Sequence, residues 1–140
     1  MLLYVESSAI LAWLLGEERG GKVAQALADS DGVIASDLTV VECERVLIRA
    51  WSSGLITEAE RSDQSSALAH VAAHWTRLRV DEVVVERASR PFPIEPVRTL
   101  DALHLASALV ARSVAPGLRL LTLDQRVREN GERLGFVTVP

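Results

Sequence analysis

The sequence has few of the features that mark a secreted or membrane protein. Its one cysteine, Cys43, excludes an internal disulfide and fits a reducing cytosol. No apolar stretch approaches the length of a membrane span, and Glu6 breaks the opening apolar run after five residues. We therefore expect neither a signal peptide nor a membrane-spanning segment.

Lysine is also nearly absent, since fourteen of the fifteen basic residues are arginine and the only lysine is Lys22. The net charge of −4 is not typical of a nucleic-acid-binding protein. Residues 1–70 carry eleven acids and five bases, whereas residues 71–140 carry eight acids and ten bases. Five arginines lie close together in the second half of the sequence. They either contact a phosphate backbone or an acidic protein partner, or they form a solvated surface without a partner. They are Arg77, Arg79, Arg87, Arg90 and Arg98.

Short apolar runs alternate with helical patterns along the chain, without a repeat or a linker. At 140 residues and 49% apolar content, this pattern predicts one α/β domain over residues 1–140, with a mainly parallel sheet flanked by helices. The predicted strands are Leu2–Val5, Val33–Ala35, Leu78–Val80, Arg119–Thr122 and Phe136–Val139. The predicted helices are Ser8–Leu15, Gly21–Ala28, Thr39–Ser53, Thr57 to about His74, Asp81–Ser89, Leu100–Arg112 and Gln125–Leu134. Three prolines predict a rigid loop over residues 90–96.

Four acidic residues stand at the boundaries between these predicted elements. Glu6 and Asp124 follow apolar strands, and Glu42 and Asp101 fall in the first turns of predicted amphipathic helices. Strand ends and helix starts meet along one edge of a parallel sheet. Four carboxylates in one cleft repel each other, and a hard divalent cation makes them tolerable. The pattern therefore indicates metal-assisted cleavage of a phosphodiester.

Each acid also has a purely structural explanation. Glu42 with Thr39 matches a capping box, Asp124 suits a helix N-cap, and Asp101 suits the positive end of a helix. Thr122 is placed to orient a carboxylate. His104 lies one turn beyond Asp101, where a packed helix residue is the more common interpretation than a site residue.

Four segments resemble PIN-domain ribonucleases, and in particular the VapC-type toxins of bacterial toxin–antitoxin pairs. The order and spacing of these segments match that family, and the resemblance covers essentially the whole chain. The segments are Tyr4–Leu11, Thr39–Glu42, Leu100–Ala106 and Leu121–Asp124.

The resemblance implies a Rossmann-like sheet and a Mg²⁺- or Mn²⁺-dependent endoribonuclease in the cytoplasm. It implies catalytic roles for Glu42, Asp101 and Asp124, metal ligation by Glu6, Asp101 and Asp124, and orienting roles for Ser8 and Thr122. It also implies an RNA substrate, a small antitoxin that blocks the cleft, and a homodimer. The apolar faces of the predicted helices that carry Trp51 and Trp75 either bind a protein partner or pack in the ordinary core.

Glu6 departs from the family, which has an aspartate at this position. The extra methylene moves the carboxylate outward by roughly 1.5 Å on a fixed backbone. Mg²⁺ requires near-octahedral ligands at about 2.0–2.1 Å, and Mn²⁺ is expected to tolerate the change better. Glu6 then has three options: ligation in a folded-back rotamer, ligation through water, or no ligation.

Two alternatives to a nuclease follow from the sequence. The first is a PIN-like module that binds RNA or protein without cutting, because of Glu6. The second is another Mg²⁺-dependent α/β domain, against which several absences argue: there is no lysine near the last strand, no Asp-x-Asp after the first strand, and no Walker-type phosphate loop.

Overall fold

Five short strands form one parallel sheet in the computed structural model, which describes residues 1–140. The strands are β1 (Leu2–Val5), β2 (Gly32–Ser36), β3 (Thr76–Leu78), β4 (Arg119–Leu121) and β5 (Thr138–Val139). Their order is β3-β2-β1-β4-β5, and every neighbouring pair is parallel. The chain leaves central β1 toward β2 on one side and later returns to β4 on the other, so β1 and β4 flank a topological switch point.

Seven helices cover the two faces of this sheet. They are α1 (Ser7–Leu14), α2 (Gly20–Ala28), α3 (Asp37–Ser52), α4 (Glu58–Ala72), α5 (Glu82–Ala88), α6 (Thr99–Val114) and α7 (Gln125–Arg133). The predicted α/β architecture is confirmed. None of these helices combines the length and apolar character that crossing a membrane requires.

Alternation along β1 divides the core into two clusters, because successive strand side chains point to opposite faces. Leu3 and Val5 pack with residues of α1, α2, α3 and α4. Tyr4 packs on the other face with Leu105 and other residues of α6 and α7. All three β1 side chains are fully buried, so the sheet is covered on both sides.

The third predicted strand is wrong by two residues, and the error has a physical cause. The edge strand β3 spans Thr76–Leu78 and pairs with β2 through Ile34↔Thr76 and Ser36↔Leu78. Because β3 lies at the sheet edge, the side chains of Thr76 and Arg77 are exposed and carry no apolar signal. Apolar patterning therefore placed the strand too late.

Glycine ends two helices as expected. Gly54 follows α3 with φ 81° and Gly135 follows α7 with φ 90°. Both backbones are left-handed, a conformation in which side-chain-bearing residues are strained. The helix ends predicted from these glycines are confirmed to within one residue, at Ser52 and Arg133.

Candidate active site at the carboxyl edge of the sheet

The four acids come from elements that end or begin at the carboxyl edge of the sheet. Glu6 directly follows β1, Asp124 follows β4, and Asp101 lies in the first turn of α6. Glu42 lies in the second turn of α3, so its predicted first-turn position is wrong. The β1–β4 switch point thus brings together residues that are distant in sequence.

The predicted capping box at Thr39 and Glu42 is also wrong. Ser36 is the N-cap of α3, and its side chain accepts a hydrogen bond from the Leu38 amide. Thr39 is already inside the helix, where its hydroxyl donates to the carbonyl oxygen of Val5 at 3.2 Å. Glu42 is therefore not used in capping, and its carboxylate is available to the cleft.

Glu6 is buried and accepts four hydrogen bonds. Its Oε1 accepts from Ser7 Oγ at 2.8 Å and from the Ser8 amide at 3.1 Å. Its Oε2 accepts from Thr122 Oγ1 at 2.8 Å and from Ser8 Oγ. Since a carboxylate offers about four acceptor positions, these donors occupy the acceptor capacity of Glu6.

Ser8 and Thr122 connect this carboxylate to the start of α7. Ser8 Oγ accepts from the amides of Leu123 and Asp124 at 3.0 and 3.1 Å. Thr122 Oγ1 accepts from the Asp124 amide at 3.1 Å. The two hydroxyl groups thereby hold the end of β1 against the end of β4 and fix the backbone that carries Asp124.

Asp124 has a capping role as well as a place in the cleft. Its Oδ1 accepts from the amides of Arg126 and Val127 at 2.8 and 3.1 Å, which confirms the predicted N-cap. Its Oδ2 points to Arg98, whose Nη2 lies 3.5 Å away. One oxygen of Asp124 therefore serves the helix and the other faces the cleft.

Asp101 lies within a dense group of charges. Burial raises the pKa of its carboxyl, and the nearby negative charges of Asp124 and Glu6 act in the same direction. The Arg98 guanidinium opposes this shift, because its Nε donates to Asp101 Oδ2 at 2.9 Å. Arg98 thus partly neutralises both aspartates, while 64% of its own side chain remains exposed.

Glu42 contacts a histidine that sequence reasoning placed in the helix packing. Its Oε1 is hydrogen-bonded to His104 Nε2, and His104 Nδ1 lies 3.0 Å from the Tyr4 hydroxyl. His104 and Tyr4 are both buried, whereas Glu42 is partly exposed. The sequence held one signal that His104 lies near the site: it follows Asp101 by three residues, and residues three apart share a helix face.

The donor chemistry of the cleft suits a hard cation, although no three His, Cys, Asp or Glu side chains lie in metal-binding geometry. A cavity of about 270 Å³ is lined by Glu42, Arg98, Thr99, Leu100 and Asp101. Asp101 Oδ1 and Glu42 Oε2 accept no hydrogen bond, so both oxygens are free to bind a ligand. Carboxylate oxygens are the ligands that Mg²⁺ and Mn²⁺ prefer. Glu6 fits less well, because its hydrogen bonds already use both of its oxygens.

The arginines between positions 77 and 98 differ in their contacts. Only Arg98 reaches the acidic cleft. Four of the five make contacts within the chain: Arg77 with Asp37, Arg87 with the Phe92 ring, Arg90 with Glu86, and Arg98 with Asp101 and Asp124.

The fold and the site together define an α/β domain with an acidic cleft at its topological switch point. The PIN domain family matches residues 3–132 of the chain. The chain therefore belongs to the PIN domain family, and its resemblance to VapC proteins is confirmed by its relatives.

Among these relatives, Ribonuclease VapC35 of Mycobacterium tuberculosis (strain ATCC 25618 / H37Rv) is 33% identical over 140 residues. That alignment covers 99% of this chain and 96% of the relative. The structure of VapC20 from M. tuberculosis, described as a sarcin-ricin loop cleaving toxin, is 19% identical with a TM-score of 0.68 and covers 96% of each chain. VapBC-5 of M. tuberculosis, a member of the VapBC family of toxin–antitoxin systems, is 20% identical with a TM-score of 0.60. It covers 99% of this chain and 97% of that one, so both structures support the same fold.

Proposed function

We propose that this chain is a divalent-metal-dependent endoribonuclease toxin that a cognate antitoxin neutralises. One observation carries the proposal: Asp101 and Asp124, from separate elements, meet beside the switch point and share one arginine. A full-length relative named as a ribonuclease supports RNA as the substrate. The acidic cleft supplies hydrolytic chemistry that a purely structural capping arrangement does not require.

The chain's own residues divide the work of RNA hydrolysis. Arg98 is exposed at the rim and charged, so it is suited to hold the phosphate group that enters the cleft. Glu42 has one oxygen fixed by His104 and one free, so it is suited to accept the proton of the attacking water. Ser8 and Thr122 hold the backbone of Asp124 in place.

A Mg²⁺ or Mn²⁺ ion fits Asp101 and Asp124 best, with Glu42 next. Such an ion would supply positive charge for the phosphate oxygens and would lower the pKa of a water molecule bound to it. Ligation through Glu6 stays a prediction, since a donor from Ser7, Ser8 or Thr122 must first be displaced.

We also propose the antitoxin partner, a homodimer and a cytoplasmic location. The similarity to VapBC-5, a member of the VapBC family of toxin–antitoxin systems, supports the antitoxin. The antitoxin's tail would block the cleft in which Arg98 already contacts two acids. Trp51 is 43% exposed on α3 and lies under the Arg61 guanidinium, which offers an aromatic surface for a partner. Trp75 is half-buried and packs against the core.

A second function is favoured by the saturated hydrogen bonding of Glu6. If all four donors must stay in place, the cleft lacks one ligand of the family's set, and the chain binds RNA or protein without cutting. The two functions differ in one observable, namely the formation of an RNA product that requires a metal ion.

The deciding experiment compares RNA cleavage by this chain and by its Glu6→Asp variant, in Mg²⁺, in Mn²⁺ and with a chelator. Several structured RNAs serve as substrates, and Asp101→Asn serves as the inactive control. We expect chelator-sensitive cleavage by the chain itself, with higher rates in Mn²⁺ than in Mg²⁺.

If only the Glu6→Asp variant cleaves RNA, the natural chain has the binding function, and its fold supports nuclease activity only with aspartate at position 6. Absence of cleavage from both would contradict the nuclease proposal. Cleavage that persists in the chelator would contradict its metal dependence.

A further inference from the structure

A buried chain of hydrogen bonds leads from the middle of the sheet to the acidic cleft. The Tyr4 hydroxyl on β1 contacts His104 Nδ1 at 3.0 Å, and His104 Nε2 contacts Glu42 Oε1. Tyr4 and His104 are 0% and 1% exposed, whereas the Glu42 side chain is 22% exposed. This series of hydrogen bonds therefore begins in the core and ends at a carboxylate that solvent and substrate can reach.

Three elements that belong to different layers contribute side chains to this series of hydrogen bonds. Side chains of α3, including Cys43, pack in one core cluster, while those of α6, including Leu105, pack in the other. The contact between His104 and Glu42 therefore joins the two helical layers at the carboxyl end of the sheet. Since His104 and Asp101 are three residues apart on α6, this contact also sets where Glu42 lies relative to Asp101.

We propose that His104, held by Tyr4, is a positioning residue that orients the Glu42 carboxylate for RNA cleavage. The proposal rests on the proposed nuclease function and adds two residues to its site. His104 does not touch the substrate; it acts by donating a hydrogen bond to Glu42.

The chemistry of the three groups determines the direction of each hydrogen bond. An ionised carboxylate only accepts, so the proton must lie on His104 Nε2. Burial raises the pKa of the Tyr4 phenol, so Tyr4 keeps its proton and is able to donate it to Nδ1. Tyr4 and Glu42 therefore favour the same Nε2–H tautomer of His104, and the Nε2–H group holds one oxygen of Glu42. The other oxygen, Oε2, remains free in the cleft.

Three substitutions separate positioning from packing. His104→Gln keeps an N–H donor at comparable reach, whereas His104→Leu fills the space without a donor. Leu105→Ala is the matched control, because it damages the core on the same helix without touching Glu42. We expect kcat to fall about 10- to 100-fold in His104→Leu with KM nearly unchanged, and to be largely retained in His104→Gln and Leu105→Ala. Equal losses in the Gln and Leu variants, or losses that follow stability alone, would overturn the proposal.

A nitrogen NMR measurement tests the arrangement without any cleavage assay. We expect the imidazole proton of His104 on Nε2 both in the natural chain and in Tyr4→Phe, because the Glu42 carboxylate is present in each. The Nδ1 resonance should shift in Tyr4→Phe, because that variant lacks the hydroxyl that donates to Nδ1. A proton found only on Nδ1 would overturn the proposal. Because this measurement needs no substrate, it remains decisive if the natural chain does not cut RNA. An Nε2–H signal that also shifts in Glu42→Gln would then still establish the contact on which positioning depends.

Discussion

Arg98 Nε donates a hydrogen bond of 2.9 Å to Asp101 Oδ2. Arg98 is the residue just before α6, and Asp101 lies in the first turn of that helix. The same guanidinium lies 3.5 Å from Asp124. Arg98 thus contacts two carboxylates whose mutual repulsion opposes folding. Because most of the Arg98 side chain is exposed, solvent screens these ion pairs, and an incoming cation or phosphate is able to displace them.

Replacing Arg98 should raise the pKa of Asp101 further. Burial already raises that pKa above its ordinary value of 3.8, and the hydrogen bond from Arg98 is the main opposing effect. A carboxyl group with a raised folded-state pKa stabilises the fold below its unfolded pKa and loses that contribution as pH rises through the folded pKa. The unfolding free energy of Arg98→Gln should therefore fall more steeply than that of the natural chain as pH rises through the Asp101 titration.

Carbon NMR of the Asp101 carboxyl group measures this pKa directly. Arg77→Gln is the matched control, because Arg77 pairs with Asp37 outside the cleft. An unchanged Asp101 titration in Arg98→Gln would show that the contact does not influence the carboxyl group.

Two substitutions of Asp124 should separate its contribution to the stability of the fold from its contribution to RNA cleavage. Asn retains an N-cap acceptor, so Asp124→Asn should unfold near the natural midpoint, whereas Asp124→Ala should lose about 1 kcal/mol of stability. Both should lose RNA cleavage, because each removes the charged oxygen that faces Arg98. Thermal unfolding and a cleavage assay measure the two effects, and full activity in the Asn variant would remove Asp124 from the catalytic site.

Thr122 should contribute stability through its hydroxyl group. In Thr122→Val, the buried Glu6 carboxylate loses a donor and the Asp124 amide loses an acceptor. Both groups keep a hydrogen bond with Ser8 Oγ, so the variant loses two hydrogen bonds, each of which contributes about 0.5–1.5 kcal/mol. Urea unfolding should show this loss in the Val variant and a smaller loss in Thr122→Ser, which keeps a hydroxyl. Equal stability of the Val variant and the natural chain would mean that water replaces the missing partner.

Cys43 should be inert to thiol reagents while the protein is folded. The side chain is fully buried, and burial raises the pKa of its thiol, with the Glu42 carboxylate adding to the shift. The thiolate is the reactive form, so native labelling should be slow and unfolding in denaturant should restore a rapid reaction. Rapid labelling of the native protein would show that α3 opens readily near the cleft.

Local sequence was sufficient for much of the fold. The apolar run of β1 was predicted residue for residue, and its alternating side chains explain the two core clusters. Asp124 was recognised as an N-cap because capping acts within three residues. The β3 prediction was wrong because backbone pairing with β2, and not burial of its side chains, makes that segment a strand.

Interactions between residues close in the chain account for the α/β class, most helix ends and the positions of the four acids at element boundaries, so these features were predictable. The hydrogen-bond partners of those acids depend instead on contacts between residues that are far apart in the chain. Glu42 contacts His104 across 62 positions, and Glu6 contacts Thr122 across 116. Such contacts arise when the crossover connections of a parallel sheet bring β1, β4, α3 and α6 to one edge. Their geometry is set by the packing of whole elements, which no local pattern encodes.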